Sequence, residues 1–287
     1  LLINNHNTAE SLFGTEDNTG LNVNNILKYI LVLTTAISST YITKSILTFK
    51  KEHANFESFQ ISARSQEQKM LNPVVKLSYL TPSHLDESGE PQGVSLSTAT
   101  GFGIEYDAVR NISYAITNAH FCNAGFENEN SNLLAETSDY FRHNYPRTDA
   151  MPGEALYMDR GLDLCIVAIY GYIAPAIIAN IGYEVQQFEN IYIVGAPSGV
   201  LPVIIDTYMS AEAHRPSIRL GAMNLSGNNY LLVSEQVFPG HSGSPIFNES
   251  GEVIGVIFAS LSRYGGIGIP LGDLYAFLQD FHKLASN

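Results

Sequence analysis

The chain has 287 residues, 45% hydrophobic and 15% charged, and 15 Lys and Arg against 28 Asp and Glu give a formal net charge of -13. A chain this long buries roughly three quarters of its unfolded surface, so a core forms without a disulfide scaffold or structural metal, and disorder is excluded for most of it. The acidity leaves no basic stripe for counterion release, which excludes nucleic acid as the main partner.

Residues 1–25 are polar and Asn-rich and read as a tail, and Leu1 in place of Met points to a longer translation product. Residues 26–49 form the one sustained apolar stretch of the first quarter, bounded by Lys28 and by Lys44, Lys50 and Lys51. We read this stretch as an apolar helix and a candidate transmembrane anchor, with a signal sequence or a helix buried against protein as alternatives. The lysines lie mostly after it, which by the positive-inside rule places the following domain on the interior side. The Asn-, Ser- and Thr-rich composition leans the other way, toward an extracytoplasmic or virion surface. Residues 50–72 are polar and read as a linker or stalk.

From Pro73 the texture changes. Ten short β-rich runs recur between Gly, Pro, Asn and Ser clusters: VVKLSYL, GFGIEY, ISYAIT, LCIVAIY, NIYIVGA, VIIDTYMSA, YLLVSE, SPIFN, EVIGVIFASL and GIGIPL. Such spacing means an all-β sandwich or barrel. The stretch from Asn123 to Pro152 is Asn-rich, acidic at first, and reads as a long loop, either a binding insertion or a surface excursion. In residues 271–284, Leu274, Phe277, Leu278 and Phe281 fall at i, i+3, i+4 and i+7 with Asp273 near the start, the pattern of an amphipathic helix packed on the barrel.

Three short motifs carry chemistry. Thr117-Asn118-Ala119-His120 follows the strand ISYAI, Gly161-Leu162-Asp163 opens the strand LCIVAI, and Pro239-Gly240-His241-Ser242-Gly243-Ser244-Pro245 precedes a hairpin. A nucleophilic serine needs a tight turn, donors aimed at the developing oxyanion, and a base. Gly240, Ser242 and Gly243 supply the first two, His120 is the candidate base and Asp163 the candidate orienter. Asp159 lies four residues before Asp163, but the apolar strand begins after Asp163, which is therefore preferred.

Here the chain resembles the chymotrypsin-like (trypsin-like) serine peptidases, nearest to their bacterial HtrA-type and glutamyl endopeptidase branches. TNAH resembles the T-x-x-H signature, GLDLCIVAI the D-L-A-hydrophobic strand, and GHSGSPIFNESGEVIGV the G-x-S-G-[GS]-P block with its hairpin. The order His, Asp, Ser is also that of chymotrypsin. The likeness covers roughly Asn72 to the C-terminus. It implies two six-stranded antiparallel β-barrels, the first at about 73–180 and the second at about 181–270, then the helix at 271–284. It also implies a serine endopeptidase in which His120, Asp163 and Ser242 form the triad and the Gly240 and Ser242 N–H groups form the oxyanion hole. Peptide substrate would add as a strand along Phe258, Ala259 and Ser260. No metal or organic cofactor is implied, and the partner is a protein or peptide, with a membrane or larger assembly reached through residues 26–49. A non-catalytic docking protein that keeps the fold inside such an assembly is the alternative.

Departures from the family refine this. His241 stands where zymogen-activated enzymes carry the Asp that pairs with a new N-terminus, so that route of activation is not expected. By the family pattern Gln236 falls at the base of the specificity pocket and Ile257 where glutamyl endopeptidases carry a His. With Val237 and Ser260 beside them the pocket is uncharged, and a small or medium apolar side chain is expected before the scissile bond. Cys122 and Cys165 each lie two positions beyond a presumed triad member, which would bring them near each other. We read them as two buried free thiols, with a disulfide as the alternative.

Overall fold

The computed structural model describes residues 65–82, 94–126, 132–137, 150–200, 202–214, 229–261 and 265–285. Residues 26–49, the candidate membrane anchor, lie outside these; among the described residues no helix is long and apolar enough to cross a membrane.

Twelve strands close into two antiparallel barrels. The first runs in the order β1 (Val74–Pro82), β2 (Val94–Asp107), β3 (Ile112–Thr117), β6 (Leu164–Ile169), β5 (Met151–Asp159), β4 (Asn132–Thr137). The second runs β10 (Pro245–Phe247), β11 (Val253–Ser260), β12 (Gly266–Pro270), β9 (Asn229–Val233), β8 (Val203–His214), β7 (Asn190–Gly195). Helix α1 (Ala119–Phe126) follows β3 and helix α2 (Leu271–Ala285) follows β12. Register shifts at Gly103/Glu105 in β2, Ala155/Tyr157 in β5 and Ile257/Ala259 in β11 bend strands that would otherwise be too flat to close.

Period-two alternation explains how the barrels pack. Val75, Leu77 and Tyr79 of β1 and Cys165, Val167 and Ile169 of β6 fill the first barrel. Their neighbours Val74, Leu164 and Ile166 point the other way, into a second core shared with Ile191, Ile193, Ile246, Val256 and Ile269. For that reason β6 reads LCIVAI without a polar residue: both of its faces are buried.

The amphipathic helix α2 buries Leu274, Phe277 and Leu278 as its spacing requires. It also reaches the first barrel, with Phe277 stacked on Tyr157 at 5.2 Å between ring centroids and Phe281 against Tyr114 at 6.0 Å. Tyr275 donates its hydroxyl to the Ala179 carbonyl at 2.8 Å.

Three sequence expectations change. The stretch read as a loop from Asn123 to Pro152 contains β4 and the start of β5, which pair with each other and with β1 and β6 to close the first barrel. The segment read as a polar linker or stalk of helical flavour is helical over residues 65–71, but its end is packed and not free of the domain: Met70 and Leu71 are buried in the shared core. Cys122 and Cys165 are not free thiols but form a disulfide inside the first barrel, because α1 and β6 bring the two positions together.

Candidate active site

His120 and Asp163 meet at the end of the first barrel. Helix α1 begins at Ala119, directly after β3, so its first turn presents His120 beside the turn that opens β6. Asp163 sits in that turn in the left-handed region (φ 57°) and is buried. One carboxylate oxygen accepts the His120 backbone N–H at 2.8 Å and the other accepts Nδ1–H at 2.8 Å. The Asp163 carbonyl accepts from the Ala119 amide at 3.1 Å and from Asn118 Nδ2 at 2.9 Å. One aspartate therefore holds three consecutive residues. A carboxylate only accepts, so the proton sits on Nδ1 and Nε2 is left as the acceptor.

Asp159 has a different task. Its Oδ1 accepts the Gly161 and Leu162 amides at 2.7 and 3.0 Å, which makes it the side-chain cap of the β5–β6 turn. The disulfide joins the residues two beyond His120 and two beyond Asp163.

Ser242 lies on the turn before β10. Gly243 has φ +83° there, and a Cβ would meet the Thr100 carbonyl oxygen at 2.1 Å and the Thr117 Cα at 3.0 Å, so only glycine lets the turn pack against the end of β3 three residues before His120. Gly240 has φ +98°, and a Cβ on it would lie 2.4 Å from the Ala196 carbonyl oxygen.

The backbone groups of this turn can be counted. The Pro239 carbonyl accepts from the Ser198 amide at 2.7 Å, the His241 carbonyl from the Ser244 amide at 2.8 Å and the Ser242 carbonyl from the Thr100 amide at 2.8 Å. The Gly240 carbonyl accepts from the Thr100 hydroxyl at 2.7 Å. His241 donates to the Phe238 carbonyl at 3.0 Å and Gly243 to the Ile257 carbonyl at 2.8 Å. Among the described residues the Gly240 and Ser242 N–H groups have no acceptor. A trans peptide points its N–H opposite its C=O, so fixing the Pro239 and His241 carbonyls aims these two N–H groups away from their anchors.

His241, beside Ser242, is 1% exposed. Burial pushes its pKa below the ordinary histidine value, partly offset by a hydrogen bond to the Phe238 backbone.

Next to Ser242 is a cavity of about 420 Å³ lined by Gln236, Val237, Phe238, Pro239, His241, Ser242, Ile257, Phe258, Ala259 and Ser260. Of the residues expected to line the specificity pocket, Gln236 is exposed, whereas Val237, Ile257 and Phe258 are buried, and all four line this cavity. Val237 packs on β12 at Gly266, where a Cβ would stand 2.9 Å from its Cγ1. Residues Phe238, Pro239 and His241 belong to the lining although the sequence reading did not include them; their signal is simply that they join Val237 to Ser242. Beyond Val256 strand β10 no longer pairs with β11, while β12 still covers Ala259 and Ser260 from the other side. One edge of Phe258 to Ser260 is thus open among the described residues.

The profile of the trypsin-like peptidase domain matches residues 99–256, which include both halves of this geometry. The chain belongs to the trypsin-like peptidase family. Solved peptidases share the fold. The active form of the Rv3671c protease from M. tuberculosis is 18% identical with a TM-score of 0.55, the match covering 75% of this chain and 82% of that one. The inactive form of the Rv3671c protease is 16% identical with a TM-score of 0.55, covering 75% and 91%. A serine endoprotease from Yersinia pestis is 16% identical with a TM-score of 0.52, covering 75% of this chain and 65% of that one. No curated protein matches the chain.

Proposed function

We propose that this trypsin-like peptidase is a serine endopeptidase that cleaves through His120, Asp163 and Ser242. The observation that carries the reading is the pair of unpartnered N–H groups, Gly240 and Ser242, on a turn whose carbonyls are all fixed. Donors held this way stabilise a tetrahedral oxyanion without having to reorganise during the reaction. In the proposed sequence Ser242 Oγ attacks the peptide carbonyl and His120 Nε2 takes its proton. The Asp163 carboxylate, 2.8 Å from Nδ1, stabilises the imidazolium. The same proton then goes to the leaving amine, and water hydrolyses the acyl-enzyme by the reverse transfers.

The lining of the pocket supports a preference for an uncharged, small or medium apolar residue before the scissile bond, since its buried walls are Val237, Ile257 and Phe258. The open edge at Phe258, Ala259 and Ser260 supports substrate binding as an added strand. The Cys122–Cys165 cross-link supports an oxidising, extracytoplasmic compartment. In this reading residues 1–25 are a tail and residues 26–49 tether the peptidase to a membrane or assembly.

Fluorophosphonate labelling tests the chemistry. The wild-type chain is expected to label and Ser242→Ala to lose the label, with kcat falling on the order of a millionfold. Labelling that survives in folded Ser242→Ala would remove Ser242 as nucleophile. A panel of chromogenic peptides tests the pocket, and strong preference for Arg, Lys or Glu would overturn the specificity.

A further inference from the structure

Thr100 lies on β2 of the first barrel with no exposed surface, and the acid–base pair does not use it. All of its polar groups are engaged at the junction of the barrels. Its amide donates to the Ser242 carbonyl at 2.8 Å and its carbonyl accepts from the Thr117 hydroxyl at 2.7 Å. Its hydroxyl donates to the Gly240 carbonyl at 2.7 Å and accepts the Ala196 amide at 2.9 Å. A hydroxyl can do both at once; valine, of the same shape, can do neither.

Ala196 opens the turn Pro197–Gly199, which is closed by Gly199 N–H to Ala196 C=O at 3.0 Å and Val200 N–H to Pro197 C=O at 2.9 Å. Within it Ser198 is left-handed (φ 50°, ψ 27°), and its amide reaches the Pro239 carbonyl at 2.7 Å. A non-glycine residue in that region is held there by its surroundings. The connection therefore runs from the Thr100 hydroxyl to Ala196, through Ser198 to the Pro239 carbonyl, and by peptide planarity to the Gly240 N–H. Gly240 has no side chain to resist rotation of that peptide, so these hydrogen bonds set its orientation.

We propose that Thr100 is a positioning residue for the oxyanion hole: its hydroxyl ties the Ala196–Gly199 turn to the Gly240 carbonyl and keeps the Gly240 N–H directed into the hole. The proposal rests on the reading of the Gly240 and Ser242 N–H groups as that hole. Released from Thr100, the Pro239–Gly240 peptide can turn over and present a carbonyl where the donor should be.

The test compares Thr100→Val and Thr100→Ser with the wild-type chain, using turnover of an apolar peptide substrate and affinity for a peptide boronic acid, which forms a tetrahedral adduct with the nucleophile. Thr100→Val is expected to lose about 10- to 100-fold in kcat with KM changed by less than about twofold, a part of what losing a whole oxyanion donor costs. Boronate affinity should fall in parallel, and Thr100→Ser should restore most of both. Folded Thr100→Val with wild-type kcat and boronate affinity overturns the proposal, as does a Thr100→Ser no better than the valine variant. If Thr100→Val does not fold, Thr100→Cys, whose thiol is of nearly the same size but a far weaker donor and acceptor, takes its place; unchanged kcat there overturns the proposal equally. A wild-type chain that neither cleaves peptides nor takes the fluorophosphonate sinks the underlying reading first. Activity equal in wild type and Thr100→Val sinks the role of Thr100 alone.

Discussion

The first barrel fixes its two ionisable groups with side chains and a covalent bond, whereas the second holds its serine through backbone carbonyls, one of them anchored by the Thr100 hydroxyl of the first barrel. Around His120 the work is done by the Asp163 carboxylate, the Asn118 amide and the disulfide behind them. Around Ser242 it is done by four anchored carbonyls and by two glycines in left-handed conformations. The requirements differ for a physical reason. A base and its orienter need charge at a set distance, which side chains provide. An oxyanion hole needs N–H donors that nothing obstructs, and in the proposed reading the backbone at Gly240 and Ser242 provides them. Substitutions in the first barrel should thus act through charge and bracing, and in the second through the addition of a single methyl group.

Four measurements can break or sharpen that contrast. The largest effect is expected from Asp163→Asn, which removes the charge and leaves the shape: kcat should fall about 10,000-fold, as it does when the aspartate of a catalytic triad is neutralised. A loss under tenfold would show that the first barrel does not act through charge. Next is the double change Cys122→Ser with Cys165→Ser. The cross-link closes a 43-residue separation, and the chain-entropy estimate for such a loop is about 4 kcal/mol, to be read as a shift in the urea midpoint. An unmoved midpoint would show that the barrel does not depend on its brace. Gly240→Ala should then cost about 100-fold in kcat, because its methyl would lie 2.4 Å from the Ala196 carbonyl oxygen and displace the N–H donor. A variant with normal kcat would contradict the claim that the second barrel tolerates no added methyl.

The smallest effect concerns pH. The folded chain holds His241 below its ordinary pKa, so the unfolded chain binds more protons once pH drops under 6.5, the ordinary histidine value. Stability should therefore decline as pH falls from there, and level off below the depressed folded pKa. In His241→Gln this part of the slope should disappear from melting curves taken across the range; an unchanged slope would assign it to other groups.

How much of this could be read in the sequence depended on whether the signal was local. Motifs on single turns were legible, and the ten apolar runs gave ten of the twelve strands. The helix α2 followed from four residues at helical spacing. Strands β4 and β5 were not legible. In β4 only Leu133 and Ala135 are buried, and β5 has Pro152 and Gly153 in second and third place and no fully buried position, so neither has the apolar pattern that marks a strand. The motifs that Cys122 and Cys165 follow place them near each other, but do not decide between two thiols and a disulfide; that depends on how α1 sits on β6, which no short motif records. Thr100 gave no signal at all. Its importance comes from contacts to residues 96 and 140 positions away, which no local pattern encodes.

The position of α2 also sets an order of events. Synthesis proceeds from the N-terminus, and the strands of the first barrel are all present once Ile169 has emerged. The outer faces of Tyr114 and Tyr157 on that barrel are covered by Phe281 and Phe277, which come more than a hundred residues later. Until then a nearly complete half-molecule shows water an aromatic surface meant for the last helix. The interval before α2 arrives is therefore when the nascent chain is most exposed to sticking to other chains, and the helix that the chemistry never touches ends that interval.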